Sequence, residues 1–257
     1  MSSVSAISNA KRIVLKVGSS SITGPNEPNL QLIADFAKRM QLAGKELVVV
    51  SSGAIATAAP LLGLTIKSED LPTSQALASI GQARLMGRYE RALATHNIIP
   101  GQILLTVDNL ELSNTAQNAL LAIERLIEIG VLPIINENDS VATSEIRFGD
   151  NDQLAAKVAT LIKADLLILL SDIDSLYTKP PGEPGAERLA VVPFDFDIDS
   201  IQVSGTSTGY GTGGAVTKLV AARLANQAGI SVILTETSQV AVMDTQDIIH
   251  TRFEPAV

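Results

Sequence analysis

The chain contains no cysteine and no tryptophan, and its 257 residues include only two histidines, His96 and His250. Without cysteine there are no disulfides, no thiolate metal sites and no thiol nucleophile. So few histidines exclude a His-rich metal centre and argue against a Ser-His-Asp triad. Aromatic residues make up 3% of the sequence, which leaves little for stacking nucleic-acid bases. The 19 Lys and Arg are outnumbered by 27 Asp and Glu, for a net charge of −8, and no basic run is present, so no nucleic-acid partner is expected. No apolar run reaches the length of a membrane span, because Lys163 and Asp165 interrupt the longest candidate. Residues 1–9 (MSSVSAISN) lack the charged start and long apolar stretch of a secretory signal. They are expected to be a disordered start to a soluble, cytoplasmic protein with no membrane partner.

What is present is a globular balance, 46% hydrophobic and 18% charged. Residues 12–17, 47–50, 103–106, 131–135, 166–170 and 230–234 read as short apolar strands. Those at 47–50 and 131–135 are continuous rather than alternating, as in parallel strands covered on both faces. Between them, 30–41, 75–96, 113–129 and 219–227 carry helical patterns, as does the stretch opened by Gly149-Asp150-Asn151-Asp152 and running to residue 161. This alternation predicts an α/β fold, a three-layer αβα sandwich with a mainly parallel central sheet. One domain over 1–257 is expected, with a functional division at about residue 165. Residues 177–214 are the exception: TKPPGEPGAER, an acidic FDFDIDS and a Gly/Ser/Thr run suggest hairpins and loops over a ligand.

Polar residues cluster where such strands end. Residues 131–135 run into Asn136-Glu137-Asn138-Asp139, and Gly149-Asp150-Asn151-Asp152 follows shortly after. Ligands of open α/β sheets bind at the carboxyl ends of strands and at helix N-termini, although Asx residues also simply cap helices and make turns. Lys16 sits inside an apolar strand and beside Gly18-Ser19-Ser20-Ser21, whose backbone N–H groups could cradle an anion. A buried ammonium needs a partner; the competing reading is an edge-strand lysine that guards against aggregation. Ser51-Ser52-Gly53-Ala54 leads from a strand into a helix, suiting a carboxylate or phosphate, or else Ser52 is a plain N-cap. Ser171-Asp172-Ile173-Asp174 ends the 166–170 strand, open to a nucleotide contact or to turn chemistry.

The run Gly209 to Lys218 contains a formal GxGxxG and is followed by Glu236 after the next strand. It does not fit a dinucleotide fingerprint, because QVSGTST before it is not a buried strand, and AVTK after the last glycine is not the GK[ST] of a P-loop. What remains is a glycine-rich loop that brings Lys218 onto the first turn of a helix. Two lysines, anion-binding turns and Asp/Asn clusters, with no His base and no Cys nucleophile, suit phosphoryl transfer from ATP to a carboxylate. A carboxylate is already ionised at neutral pH, with an ordinary pKa of about 4, and needs no general base. The task is to bring one anion to another, which lysines, Mg²⁺ and backbone N–H groups accomplish.

The ordered motifs LKVGSSS, VVSSGAIA, INENDSV, GDNDQLAA, LLSDIDSLY and GTGGAVTK resemble those of the amino acid kinase family, from about Arg12 to the C-terminus. Within the family they are most similar to the members that phosphorylate the γ-carboxylate of L-glutamate, first in the route to proline. The resemblance implies catalytic roles for Lys16, Lys218 and Asp152, the aspartate organising both lysines. It implies glutamate binding by Ser52, Asp139 and Asn151. Nucleotide binding falls to Lys16, Ser171, Asp172, Gly211, Thr212, Gly213, Gly214 and Lys218, with 12–164 as the acceptor half and 165–257 as the nucleotide half. ATP and Mg²⁺ held through its phosphates, rather than by protein ligands, are implied as well. So are feedback inhibition by L-proline and assembly into a homo-oligomer, a dimer or tetramer. Many members continue into a C-terminal PUA domain, which is not expected in these 257 residues. A same-fold kinase for another carboxylate or carbamate acceptor is the alternative. A non-catalytic sensor would be expected to have lost a lysine or the aspartate, and all three are present.

Overall fold

The computed structural model describes residues 2–64, 70–141, 151–179, 183–196 and 215–255. The N-terminus corrects the sequence reading, since α1 (Ser3–Asn9) is a capped helix. The Ser2 side chain accepts from the Ser5 N–H, satisfying one orphan donor of the first turn. Ala6 and Ile7 are buried in the core. The other end is held from a distance, by Lys45 Nζ donating to the carbonyls of Ser8 and Ala10 at 2.8 and 2.6 Å.

The chain continues through β1 (Arg12–Val17), α2 (Ser19–Ile22), α3 (Asn29–Leu42), β2 (Glu46–Ser51), α4 (Ala54–Ala58), α5 (Leu71–Ala94), β3 (Pro100–Leu105), α6 (Val107–Glu111) and α7 (Ser113–Glu128). Then follow β4 (Leu132–Glu137), α8 (Asn151–Leu161), β5 (Leu166–Ser171), β6 (Leu176–Tyr177), β7 (Arg188–Leu189), β8 (Val191–Val192), α9 (Ala215–Gln227), β9 (Ser231–Glu236) and β10 (Thr251–Phe253). The main sheet has the order β3-β4-β2-β1-β5-β9-β10-β8. Its neighbours are parallel except β9 and β10.

β1 therefore lies in the interior of the sheet, and the edge-strand reading of Lys16 is wrong. Side chains alternate between two faces along it. Ile13, Leu15 and Val17 join a core with Leu47 and Val49 of β2, Phe36 of α3 and Leu85 of α5. Val14 joins the opposite core with Val48, Val50, Leu154 of α8 and Leu219 of α9. The two cores make a three-layer αβα sandwich, and by the same alternation Lys16 belongs to the face covered by α8 and α9. Within 177–214 the described residues begin as expected, with β6 pairing antiparallel to β7. β8 then leaves the hairpin and extends the main sheet beside β10.

Candidate active site

The crossing of the chain from β2 on one side of β1 to β5 on the other makes β1 the switch point of the sheet, where α/β proteins place their ligands. Register brings the strand ends level, Val17 opposite both Ser51 and Leu170. Ser52, Asn136, Glu137, Ser171 and Glu236 thus lie at or just beyond carboxyl ends on one rim. β4 runs two residues further than its apolar run suggests, so Asn136 and Glu137 are strand residues and are buried.

Lys16 and Lys218 converge on Asp152. Lys16 Nζ is 2.5 Å from Asp152 Oδ1 and Lys218 Nζ is 3.4 Å from Oδ2. Both lysines are 5–6% exposed and Asp152 is fully buried. Asp152 lies in the first turn of α8, where the N-terminal end of the helix dipole favours an anion. Burial by itself raises the pKa of this carboxyl. The charges of Lys16 and Lys218, with hydrogen bonds from Lys16 and Thr217, outweigh burial and bring it down to about 2. Lys218 is held below its ordinary value, chiefly by burial and with Lys16 adding to the effect, only partly offset by Asp152. These three side chains carry one net positive charge in a desolvated place, a setting that favours an entering anion. Thr217 is a residue the sequence reading passed over. Its hydroxyl donates to Asp152 Oδ2 at 2.8 Å, closer than Lys218 Nζ comes to that oxygen. Its place next to Lys218 was the available signal.

On the acceptor side, Ser52 is not a helix cap. The cap of α4 is Gly53, at φ +107°, with no side-chain hydrogen bond. A Cβ there would also touch Thr23 and Ser19 at 3.4–3.7 Å, so the segment after Ser52 packs against the turn after β1. Asp139 is half-buried, and no cation pairs with it among the described residues. Burial pushes its carboxyl up to about 6. Asn151 opens α8, and its Oδ1 is buried without a hydrogen-bond partner among the described residues.

At the end of β5, the Ser171 hydroxyl donates to Asp172 at 3.1 Å. The Ser171 carbonyl accepts from the Thr237 hydroxyl, whose oxygen also lies 2.6 Å from the Ser21 hydroxyl. This buried node ties the turn after β1 to the far half of the sheet, and neither hydroxyl was singled out from sequence. Gly149 and Asp150, and the glycine run with Gly211, Thr212, Gly213 and Gly214, lie outside the described residues. Among the described residues no three His, Cys, Asp or Glu side chains gather around a metal position.

A parallel sheet with a lysine–aspartate–lysine cluster at its switch point defines a class, and comparison with known proteins agrees. Residues 11–236 match the model of the amino acid kinase family, and the chain belongs to that family. Within it, the chain stands with the glutamate 5-kinases. A protein of that name from Clavibacter michiganensis subsp. michiganensis is 51% identical over 97% of this chain and 96% of its own length. Another from Leifsonia xyli subsp. xyli is 49% identical over 97% and 93%. The Salinispora arenicola protein is 44% identical over 97% of this chain and 69% of its own. Among solved structures, carbamate kinase from Giardia lamblia bound to AMP-PNP superposes with a TM-score of 0.65 at 16% identity, covering 97% of this chain and all of that one. UMP kinase from Ureaplasma parvum gives 0.61 at 16% identity, over 95% and 98%. At that identity the likeness is one of fold.

Proposed function

We propose that this chain transfers the γ-phosphoryl group of ATP to the γ-carboxylate of L-glutamate, giving γ-glutamyl 5-phosphate, the first step of proline biosynthesis. The observation that carries the reading is the bridging of Lys16 and Lys218 by one fully buried carboxylate, Asp152. A glutamate oxygen forms its bond to the γ-phosphorus as the bond from phosphorus to the ADP oxygen breaks. No proton has to be removed, which suits a site with no histidine in it.

Lys16 and Lys218 meet the charge of the phosphoryl group in flight, and Asp152 fixes their spacing so that they need not reorganise during transfer. Asp139 receives the ammonium of glutamate; its partly desolvated carboxylate, to which no cation is paired among the described residues, gains one when substrate binds. Ser52 and Asn151 serve the carboxylates. Ser171 and Asp172 take the nucleotide, together with Gly211, Thr212, Gly213 and Gly214. Residues 12–164 thus form the acceptor half and 165–257 the nucleotide half. Mg²⁺ would be held through the ATP phosphates rather than by protein side chains. When bound it draws charge from the phosphate oxygens.

Inhibition by L-proline belongs to the same reading, because proline offers the cation and carboxylate that Asp139 and its neighbours would bind. So does assembly into dimers or tetramers, for which exposed Leu104, Leu112, Leu121 and Ile129 supply apolar surface. No described helix is long and apolar enough to cross a membrane.

The test is ATP-dependent hydroxamate formation in hydroxylamine, with L-glutamate, L-aspartate or N-acetyl-L-glutamate supplied in turn. Product with L-glutamate alone is expected. Product with another acceptor in its place would overturn the substrate, and product with none would overturn the kinase reading in favour of a sensor.

A further inference from the structure

α5 crosses the ends of β2 and β4 and touches both. Gly81 abuts α4 so closely that a Cβ would lie 1.8 Å from the Ala54 carbonyl oxygen. Tyr89, buried, hydrogen-bonds Ser51 at 2.9 Å. Between these contacts, Gln82 accepts a 2.7 Å hydrogen bond from Asn136 Nδ2. The orientation of both amides follows from one backbone group. The Glu137 N–H donates to Asn136 Oδ1 at 2.9 Å, so Asn136 must turn its Nδ2 donor toward Gln82. Gln82 must answer with its oxygen. Its remaining group, the Nε2 donor, is buried and has no hydrogen-bond partner among the described residues. A buried amide donor left unpaired is disfavoured and calls for an explanation. This one stands beside the two strand ends that lead to Ser52 and to Asp139.

We propose that Gln82 is a specificity-determining residue of the acceptor site, holding Asn136 with its oxygen and giving its free Nε2 donor to a carboxylate oxygen of the amino-acid acceptor. The assignment rests on the acceptor reading above. Helix α5 then does more than cover the sheet. It carries a donor for a carboxylate while Asp139 takes the ammonium, so the two ends of the amino acid are read from different elements.

Gln82→Glu tests this, because it keeps an oxygen for Asn136 and replaces only the free donor by a second oxygen. The expected result is a rise in KM for L-glutamate on the order of tenfold or more, the loss of a hydrogen bond to a charged group together with like-charge repulsion. KM for ATP should stay within about twofold, as is usual for a group that touches only the other substrate. A brace acting on Asn136 alone would be preserved in this variant, so an unchanged KM for glutamate overturns the proposal. If Gln82→Glu does not fold, Gln82→Met decides in the same assay. A raised glutamate KM at unchanged melting temperature supports the donor, and an unchanged KM overturns it. Hydroxamate formation by the unmodified chain is measured alongside. No product with L-glutamate would sink the acceptor reading and this assignment with it, whereas normal product with an unaltered variant KM sinks this assignment alone.

Discussion

Lys16 Nζ lies 2.5 Å from Asp152 Oδ1, with 8% and 0% of the two side chains exposed. A strand lysine and a helix aspartate, 136 positions apart in the sequence, thus form a pair shielded from water, and removing Asp152 takes from Lys16 the carboxylate that compensates its charge. Asp152→Asn should lower kcat by about 100-fold or more, in line with losing a preorganised electrostatic contact. It should also cost about 3–5 kcal/mol of stability, the usual penalty for breaking a buried pair from one side. Steady-state kinetics and urea unfolding of the same preparation check both; unchanged turnover would remove Asp152 from the mechanism.

Lys16→Ala and Lys218→Ala should each lower kcat by roughly 10²–10³-fold while changing glutamate KM little, if as proposed they act on charge that develops in transfer. Thr217→Val should fall between these variants and the parent, at about tenfold, because it frees Asp152 Oδ2 without removing a charge. Thr217→Ser should restore most of the loss. A Thr217→Val enzyme with full kcat would show that the Lys218 contact alone holds that oxygen.

Asp139 gives a pH signature. Its carboxyl is raised by burial to about 6, above its value in the unfolded chain, so the folded state binds the proton more tightly. Its contribution to stability is therefore fully present below the unfolded pKa and is lost as pH rises through about 6. Asp139→Asn should make the protein more stable than the parent at pH 8, on the order of 1–2 kcal/mol after allowing for partial exposure. The difference should shrink toward pH 4. Function runs the other way. Glutamate KM should climb as pH drops below about 6, where Asp139 loses the charge proposed to meet the ammonium, and Asp139→Asn should flatten that climb while raising KM throughout. Glutamate KM that is level from pH 5 to pH 8 in the parent would place the ammonium elsewhere.

At Gly81 the spacing between α5 and α4 leaves no room for a side chain. Gly81→Ala should force the two helices apart, costing about 1–3 kcal/mol as overpacking does. The shift should raise glutamate KM more than ATP KM, because α4 follows Ser52 directly. Equal effects on both substrates would indicate a general loss of the fold rather than a local movement.

The N-terminal helix makes a contrasting case. Ile7 is 2% exposed, and Ile7→Ala should cost about 2–4 kcal/mol, as for other buried aliphatic truncations. Both KM values should stay as they are. Thermal unfolding and kinetics together test this, and a variant as stable as the parent would mean that α1 does not dock in solution.

The parallel strands β1 to β5 and β9 were legible as short apolar runs, whereas β8 was not, and Lys16 stood out because a lysine has no place in such a run without a partner. Its partner was legible only as part of a motif, since nothing local joins residue 16 to residue 152. Helix α1 was missed for a similar reason: MSSVSAISN is weakly helical by itself, and the burial of Ile7 and the reach of Lys45 come from tertiary structure. The start of α5 was readable and overlooked. Asp70 caps the Thr73 N–H and a proline sits in the first turn, both ordinary start signals, so the helix begins at Leu71 rather than near residue 75. Gln82 offered no signal at all. A glutamine on a helix reads as solvent-facing until the fold sets Asn136 against it.

The most direct test of the central claim is to follow oxygen from glutamate. With both γ-carboxylate oxygens labelled as ¹⁸O, transfer from ATP puts a labelled oxygen between carbon and phosphorus. Cyclisation of the product by its own amine then breaks the carbon–oxygen bond and releases phosphate. One ¹⁸O is expected in each phosphate released, seen as an upfield-shifted line in the ³¹P spectrum. Phosphate released without label would mean that water, not the glutamate carboxylate, attacks phosphorus, and would contradict the account.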